Sequence, residues 1–261
     1  MRRHVSFPCG GARLFGTLDL PDGGEQAAAN GLLIVSGGNE IRSGAWSGQA
    51  WLAAEVAAAG HPVLRFDRRG VGESEGENRG FRHAGDDIAA ALAAFRTEVP
   101  GLKRTIGLGN CDAASALALN GGCGLDGLVL SNPWTFDGED DCEAQPAAAL
   151  RAHYARRLTD PAALLRLLRG KVSPAALLRS LAGAVRRAKR TSLAAEMVAG
   201  LAGYRGPVAL LVAERDRTAQ AFLARWDRTD PRVAVCPGAS HSFVEPEARA
   251  WLLRQVLAAL A

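Results

Sequence analysis

Short apolar runs that end in turn signals alternate with helical patterns along most of the chain. The segment 11–21 alternates apolar and polar positions up to Pro21, as an antiparallel strand does. The continuous apolar run 32–35 ends at Ser36-Gly37-Gly38-Asn39, as a buried strand does. Further strands are predicted at 62–66, 105–108, 127–130, 208–212 and 233–235, and helices at 46–59, 84–95, 113–119 and 246–260.

Strands that alternate with helices favour a mostly parallel sheet that is covered on both faces. The alternation stops at about residue 137 and returns at about residue 200. Only helical stretches occur in between, separated by Pro161, Gly170 and Pro174. The pattern therefore predicts an α/β core formed by 1–136 and 201–261, with a helical cap inserted at 137–200.

The composition is that of a globular protein with a sizeable core, with 261 residues, 48% hydrophobic and 22% charged. No apolar run reaches the 18 residues of a membrane span, and residues 1–8 lack the apolar stretch of a secretory signal. Five widely spaced cysteines without CxxC spacing argue against a zinc site or a disulfide framework. We therefore expect a cytoplasmic protein with reduced thiols, no metal and no cofactor.

The net charge of +4 is unevenly distributed. Residues 151–190 carry eleven Lys or Arg and one acidic residue, a net charge of +10, which leaves −6 for the rest of the chain. Such a segment attracts an anionic membrane surface or an anionic carrier, or is simply a solvated helical face. Nucleic acid is disfavoured, because aromatic residues for base stacking are nearly absent there.

The pentapeptide Gly109-Asn110-Cys111-Asp112-Ala113 lies between a predicted strand and a helical pattern of small residues. A strand, a sharp turn with a central nucleophile and a helix form the layout of a nucleophile elbow. Cys111 is the candidate nucleophile, because a helix N-terminus and a neighbouring imidazole favour a thiolate. The alternative is that Cys111 is a small buried thiol with no catalytic role.

A second G-x-S-x-G match, Gly72-Glu73-Ser74-Glu75-Gly76, competes with the cysteine elbow. It lies in a loop, no helix of small residues follows it, and two glutamates flank Ser74. Their charge would repel an oxyanion, so Cys111 is favoured over Ser74.

Two further candidate catalytic residues follow Cys111 along the chain, first an acid and then a base. Asp216 comes after the predicted strand 208–212, and His241 comes after 233–235. The carboxyl ends of parallel strands share one edge of the sheet, where sites assemble. Asp216 would hold the His241 imidazole in the right tautomer and stabilise its cation. Glu214 and Asp227 are rival acids.

A tetrahedral oxyanion needs preorganised N–H donors. One candidate is the amide of Asp112, directly after the nucleophile. The other should come from the glycine-rich loop after 32–35, where Gly38 or Asn39 would provide the amide.

The chain resembles the α/β-hydrolase superfamily in Ser36-Gly37-Gly38, in 67–74 (DRRGVGES), in the Cys111 elbow, and in Asp216 and His241. Within it, the chain resembles the exosortase A system-associated hydrolase 1 family, on 36–44 (SGGNEIRSG), 111–116 (CDAASA), 130–134 (LSNPW) and 153–158 (HYARRL). This resemblance implies a setting of exopolysaccharide production and protein sorting, without a defined substrate. Ala113 departs from the glycine that the superfamily usually has there.

These features predict a hydrolase or acyltransferase that acts on an ester or thioester through an acyl-cysteine intermediate. The basic cap is compatible with a carrier-bound thioester or with peripheral contact to an anionic membrane. A non-catalytic binding or scaffold module on a hydrolase fold is the alternative, although such a module has no need of all three triad residues.

Overall fold

The computed structural model describes residues 1–22, 30–137, 192–227 and 229–261. The strands are β1 (Arg2–Cys9), β2 (Ala12–Asp19), β3 (Asn30–Val35), β4 (Val63–Phe66), β5 (Arg104–Asn110), β6 (Gly127–Ser131), β7 (Val208–Ala213) and β8 (Val233–Cys236). The helices in this part of the chain are α1 (Gly48–Ala58), α2 (Gly85–Glu98), α3 (Asp112–Leu119), α4 (Ser192–Ala202), α5 (Arg217–Arg225) and α6 (Pro246–Leu260).

The strands form one 8-stranded sheet in the order β1-β2-β4-β3-β5-β6-β7-β8. The strands β1 and β2 run antiparallel at one edge, and all pairs from β4 to β8 are parallel. The loops after β3, β5, β6, β7 and β8 therefore leave the sheet at the same edge. This order confirms the prediction of a mostly parallel α/β sheet.

Successive residues of the central strands face opposite layers of helices. Leu32 and Ile34 pack with α1 and α6, whereas Leu33 and Val35 pack with α2, α3 and α4. All four side chains are at most 1% exposed. Burial on both faces explains why these strands read as continuous apolar runs rather than as alternating ones.

The strand β1 is not predicted from the apolar pattern, because arginine and histidine occupy much of its exposed face. Val5, Phe7 and Cys9 are nevertheless buried at alternate positions, and β1 pairs with β2 along its whole length. The helix α5 is also absent from the predicted elements. It packs through Ala219 and Phe222 into the same cluster as α3.

Most of the predicted cap, residues 138–191, lies outside the described part of the chain, as does the basic segment 151–190. The last part of the predicted cap, 192–200, belongs to α4. Asp137 accepts hydrogen bonds from the backbone N–H groups of Ser192 and Leu193 at the start of this helix. Leu193 and Met197 then join the core cluster beside α3. Among the described helices, none has the length and apolarity needed to cross a membrane.

Candidate active site

The turn between β5 and α3 has the geometry of a nucleophile elbow. Cys111 has φ 61° and ψ −125°, an unfavourable conformation for a residue with a side chain. A Cβ at Gly109 would lie 2.7 Å from backbone atoms of Ala113 and Ala114, so only glycine fits there. Ala113 is fully buried in the same contact. The backbone N–H of Cys111 donates to the carbonyl of Ser131 at 3.0 Å, which ties the elbow to β6.

Asp216 and His241 come together at the same edge of the sheet. The His241 Nδ1 lies 2.9 Å from the Asp216 Oδ2. Asp216 is buried, and its Oδ2 also accepts the backbone N–H of Ala219 at 2.9 Å as the N-cap of α5. The first turn of a helix thus fixes the carboxylate that faces the imidazole.

The imidazole of His241 interacts with the two residues predicted to accompany it. The hydrogen bond to Asp216 and a second one to Cys111 raise the pKa of His241 from 6.5 to about 10, although burial opposes this shift. Both partners favour the protonated ring.

A buried asparagine, Asn132, holds the loop that carries His241. Its Nδ2 donates to the backbone carbonyl of His241 at 2.9 Å, and its Oδ1 accepts the backbone N–H of Ala213 at 2.8 Å. Asn110, the neighbour of Cys111, is also within reach of the His241 carbonyl, at 3.4 Å. No role is predicted for Asn132 from sequence, although its position just after β6 at the site edge of the sheet is a usable signal.

The glycine-rich loop after β3 is held through both backbone polar groups of Gly38, its N–H and its carbonyl. The Gly38 N–H donates to the Asp112 Oδ1 at 2.6 Å, and the Gly38 carbonyl accepts from the buried guanidinium of Arg68. Arg68 Nη2 also lies 3.6 Å from the Asp112 Oδ2. The Gly38 amide is thus engaged by a carboxylate, whereas no acceptor for the Asn39 amide is found among the described residues.

The same loop is anchored further along by Arg42. Its backbone N–H donates to the Asp67 Oδ1 at 2.6 Å, and its Nε donates to the Thr17 hydroxyl at 2.9 Å. Its guanidinium also pairs with the fully buried carboxylate of Asp67. The loop therefore rests on β2 and on the end of β4, which leaves little freedom to the amides at its tip.

The competing serine has a structural role. The Ser74 hydroxyl is buried, donates to the Asp67 carbonyl at 2.6 Å and accepts the Phe15 N–H at 3.0 Å. The rival acid Glu214 instead accepts the N–H of Gly238 at 2.7 Å. The rival acid Asp227 accepts from Thr229. Within the described ranges, no group of three His, Cys, Asp or Glu side chains is placed to hold a metal ion.

The sequence model of the alpha/beta hydrolase family matches residues 32–255. The chain belongs to the alpha/beta hydrolase family. This match covers the glycine-rich loop after β3, the turn around Cys111, Asp216 and His241, and it confirms the predicted superfamily. A search of proteins with curated functions finds no match.

Solved structures of alpha/beta hydrolases superimpose on nearly the whole chain. Proline iminopeptidase from Mycobacterium smegmatis is 18% identical with a TM-score of 0.61, and the match covers 98% of both chains. An esterase from Pyrococcus furiosus is 16% identical with a TM-score of 0.63, covering 100% of this chain and 90% of that one. An alpha-beta serine hydrolase homologue from Coxiella burnetii is 16% identical, with a TM-score of 0.61 and coverage of 99% and 97%. These likenesses show the fold.

Proposed function

We propose that this alpha/beta hydrolase cleaves or transfers an acyl group through an acyl-cysteine intermediate on Cys111. The observation that carries the proposal is the 2.9 Å separation between the His241 Nδ1 and the buried Asp216 Oδ2, on an imidazole whose pKa Cys111 also raises. A nucleophile, a base and an orienting acid are thereby arranged in series. A buried structural thiol would need none of these neighbours.

In the first half-reaction, the Cys111 thiolate attacks the carbonyl carbon of an ester or thioester. A C–S bond forms and the carbonyl oxygen becomes an oxyanion. The His241 imidazolium then gives its proton to the leaving alcohol or thiol as the old C–O or C–S bond breaks. Asp216 remains ionised and stabilises the imidazolium throughout.

In the second half-reaction, neutral His241 takes a proton from water or from an acceptor alcohol, whose oxygen attacks the acyl thioester. The thiolate leaves and the protonated imidazole is restored. Thiolate is a better leaving group than an amine, so an amide substrate would tend to expel the cysteine again. Thioesters, activated esters and lactones are the substrates that this chemistry favours.

We assign the oxyanion donors to the backbone amides of Asp112 and Asn39. The amide of Asp112 is at the N-terminus of α3, where the helix dipole favours negative charge. Of the two loop candidates, Asn39 is supported because the Gly38 amide already binds the Asp112 carboxylate. The Asp112–Arg68 pair then acts as a clamp on Gly38, and Asn39 is the next residue along.

The same Gly38–Asp112 hydrogen bond is the observation that favours a second candidate, a binding module without catalysis. A carboxylate beside an oxyanion site repels an oxyanion unless a cation offsets its charge. Arg68 provides that offset here. Turnover decides between the two candidates.

The decisive experiment is intact-mass detection of an acyl adduct after incubation with p-nitrophenyl acetate and acetyl thioesters. The proposal requires an adduct on the native protein, its loss in Cys111→Ala, and its retention in Ser74→Ala. An adduct that persists in Cys111→Ala, or turnover that depends on Ser74 alone, would overturn the cysteine mechanism. Normal folding of Cys111→Ala, measured by circular dichroism, is the control.

We include two further points in this proposal. The first is membership of the exosortase A system-associated hydrolase 1 family, and the second is the chemical class of the leaving group. The motifs at 36–44, 111–116 and 130–134 support the first. The +10 charge of 151–190 supports an anionic carrier, such as a carrier-protein thioester, or contact with anionic lipid. A fall of kcat/KM with salt for a carrier thioester, but not for p-nitrophenyl acetate, is expected for the carrier. Sedimentation with anionic but not neutral vesicles is expected for the membrane.

A further inference from the structure

An apolar cavity lies between the sheet and the helices α1 and α6, directly below the loops of the candidate active site. Its volume is about 60 Å³. The side chains of Ile34, Leu52, Leu108 and Phe243 line it and are all nearly fully buried.

The cavity adjoins all three loops that the proposed mechanism uses. Glu40, which follows Asn39, lines it, as does Asn110, which precedes Cys111. Ser242, which follows His241, lines it as well. Each of these loops thus gives the cavity a residue that is the chain neighbour of one that the mechanism uses.

Two polar side chains that line the cavity, Asn110 and Gln49, already have partners. The Asn110 Oδ1 accepts from the Ser131 hydroxyl and from Asn132, both at 3.0 Å. The Gln49 Oε1 accepts from the Ser36 hydroxyl at 3.0 Å. At the rim, the Arg249 guanidinium stacks over Trp51. A hydrocarbon group is thus the occupant that costs the least desolvation.

We propose that this cavity binds the alkyl part of the acyl group and selects short chains of about two to four carbons. The inference rests on the proposed acyl-cysteine function. A single water needs about 10–15 Å³, so 60 Å³ has room for roughly four non-hydrogen atoms. The acyl group stays on Cys111 between the two half-reactions, whereas the leaving group must depart. A small cavity under the sheet edge therefore suits the acyl part.

Gly48, the first residue of α1, is a lining position at which a side chain can be added. It lines the cavity, has helical φ −64° and ψ −39°, and a Cβ built on it meets no atom within 4 Å. Gly48→Leu therefore adds a side chain without backbone strain. Gly203 has the same open surroundings after α4, away from the cavity, so Gly203→Leu is the matched control. Leu252→Ala, on α6, enlarges the cavity instead.

The test measures kcat/KM for p-nitrophenyl acetate, butyrate and octanoate with the native protein and these three variants. We expect the native protein to prefer butyrate over acetate by roughly fourfold for each added methylene, and to lose this gain at octanoate. Gly48→Leu should abolish the preference for butyrate while acetate turnover stays within about threefold. Gly203→Leu should keep the native profile, and Leu252→Ala should move the optimum to longer chains.

Acetyl thioesters of short and long alkyl thiols separate the acyl from the leaving-group side. Gly48→Leu should leave the relative kcat/KM values within this thioester series unchanged. An unchanged acyl profile in both Gly48→Leu and Leu252→Ala, with acetate still turned over through Cys111, would overturn the cavity assignment and leave the proposed function standing. If Gly48→Leu instead changes how kcat/KM depends on the length of the alkyl thiol, the cavity binds the leaving group and not the acyl group. Absence of any acylation in the native protein would overturn the proposed function itself.

Discussion

The backbone N–H of Gly38 donates a 2.6 Å hydrogen bond to the Asp112 carboxylate, so the residue after Cys111 holds the glycine-rich loop that follows β3. Arg68 binds the carbonyl of the same glycine and offsets the charge of the carboxylate. The peptide of Gly38 is thus fixed at both ends, and the amide of Asn39 follows it.

Removal of this clamp should slow the chemical step. In Asp112→Ala the loop loses a charge-assisted hydrogen bond, and kcat for acylation should fall about tenfold with little change in KM. Asp112→Asn keeps an oxygen for the Gly38 N–H and should stay within about threefold. Asp86→Ala, an exposed aspartate in the first turn of α2, is the control. A higher kcat in Asp112→Ala would mean that the carboxylate blocks the site instead of ordering it.

The buried amide of Asn132 should matter for both stability and activity. Asn132→Ala leaves the N–H of Ala213 without its partner and the carbonyl of His241 with only the longer bond from Asn110, which should lower the free energy of unfolding by about 2–3 kcal/mol. The looser His241 loop should also lower kcat. Urea denaturation and p-nitrophenyl acetate turnover measure the two effects. Asn120→Ala, which removes one bond to Ala116 at the end of α3, should cost less than about 1 kcal/mol. Equal losses in both variants would contradict a positioning role.

The raised pKa of His241 predicts a specific dependence of stability on pH. The folded protein holds the imidazole proton up to about pH 10, whereas the unfolded chain releases it near pH 6.5. The stabilising contribution is therefore complete below pH 6.5 and is lost as the pH rises through 10. The difference in unfolding free energy between the native protein and His241→Gln should shrink from pH 6 to pH 10. If the unfolding free energies of the two proteins differ by the same amount from pH 6 to pH 10, the predicted contribution of His241 is contradicted.

Loss of the acid should move the same pKa downward. In Asp216→Asn the main cause of the shift is removed, so NMR titration of the His241 ring should give a lower midpoint than in the native protein. Cys111→Ser should lower it as well, by a smaller amount. His83→Gln, an exposed histidine next to α2, should leave the His241 titration unchanged.

Cys111 should be the first of the described cysteines to react with iodoacetamide. Burial raises the pKa of Cys9 and of Cys236, and raises that of Cys123 to about 11, so these three are largely thiols at neutral pH. Peptide mapping at pH 7 in a Cys142→Ser background should show modification of Cys111 at least about tenfold faster. His241→Gln should slow that reaction. Uniform labelling of the four thiols would contradict an activated Cys111.

Local patterns predicted much of the fold because the physics involved is local. The strands β3 to β8 are short apolar runs between turn signals, and helices cover both faces of β3 to β7. The strand β1 was not predicted from that pattern. Its arginines and its histidine hide the alternation of Val5, Phe7 and Cys9, and only its pairing with β2 gives the segment its structure.

The sequence by itself determined the parallel α/β core, the elbow around Cys111 and the order of Asp216 and His241 along the chain. These depend on the spacing of small, apolar and turn residues, which act within a few positions. Only the tertiary structure decided that Asp112 binds Gly38, that Arg68 offsets its charge and that Asn132 holds the His241 loop. Each of those contacts joins residues from loops at one edge of the sheet, more than twenty positions apart, and their pairing follows from strand order. The cavity under the site has the same origin, since α1 and α6 come together only on one face of the folded sheet.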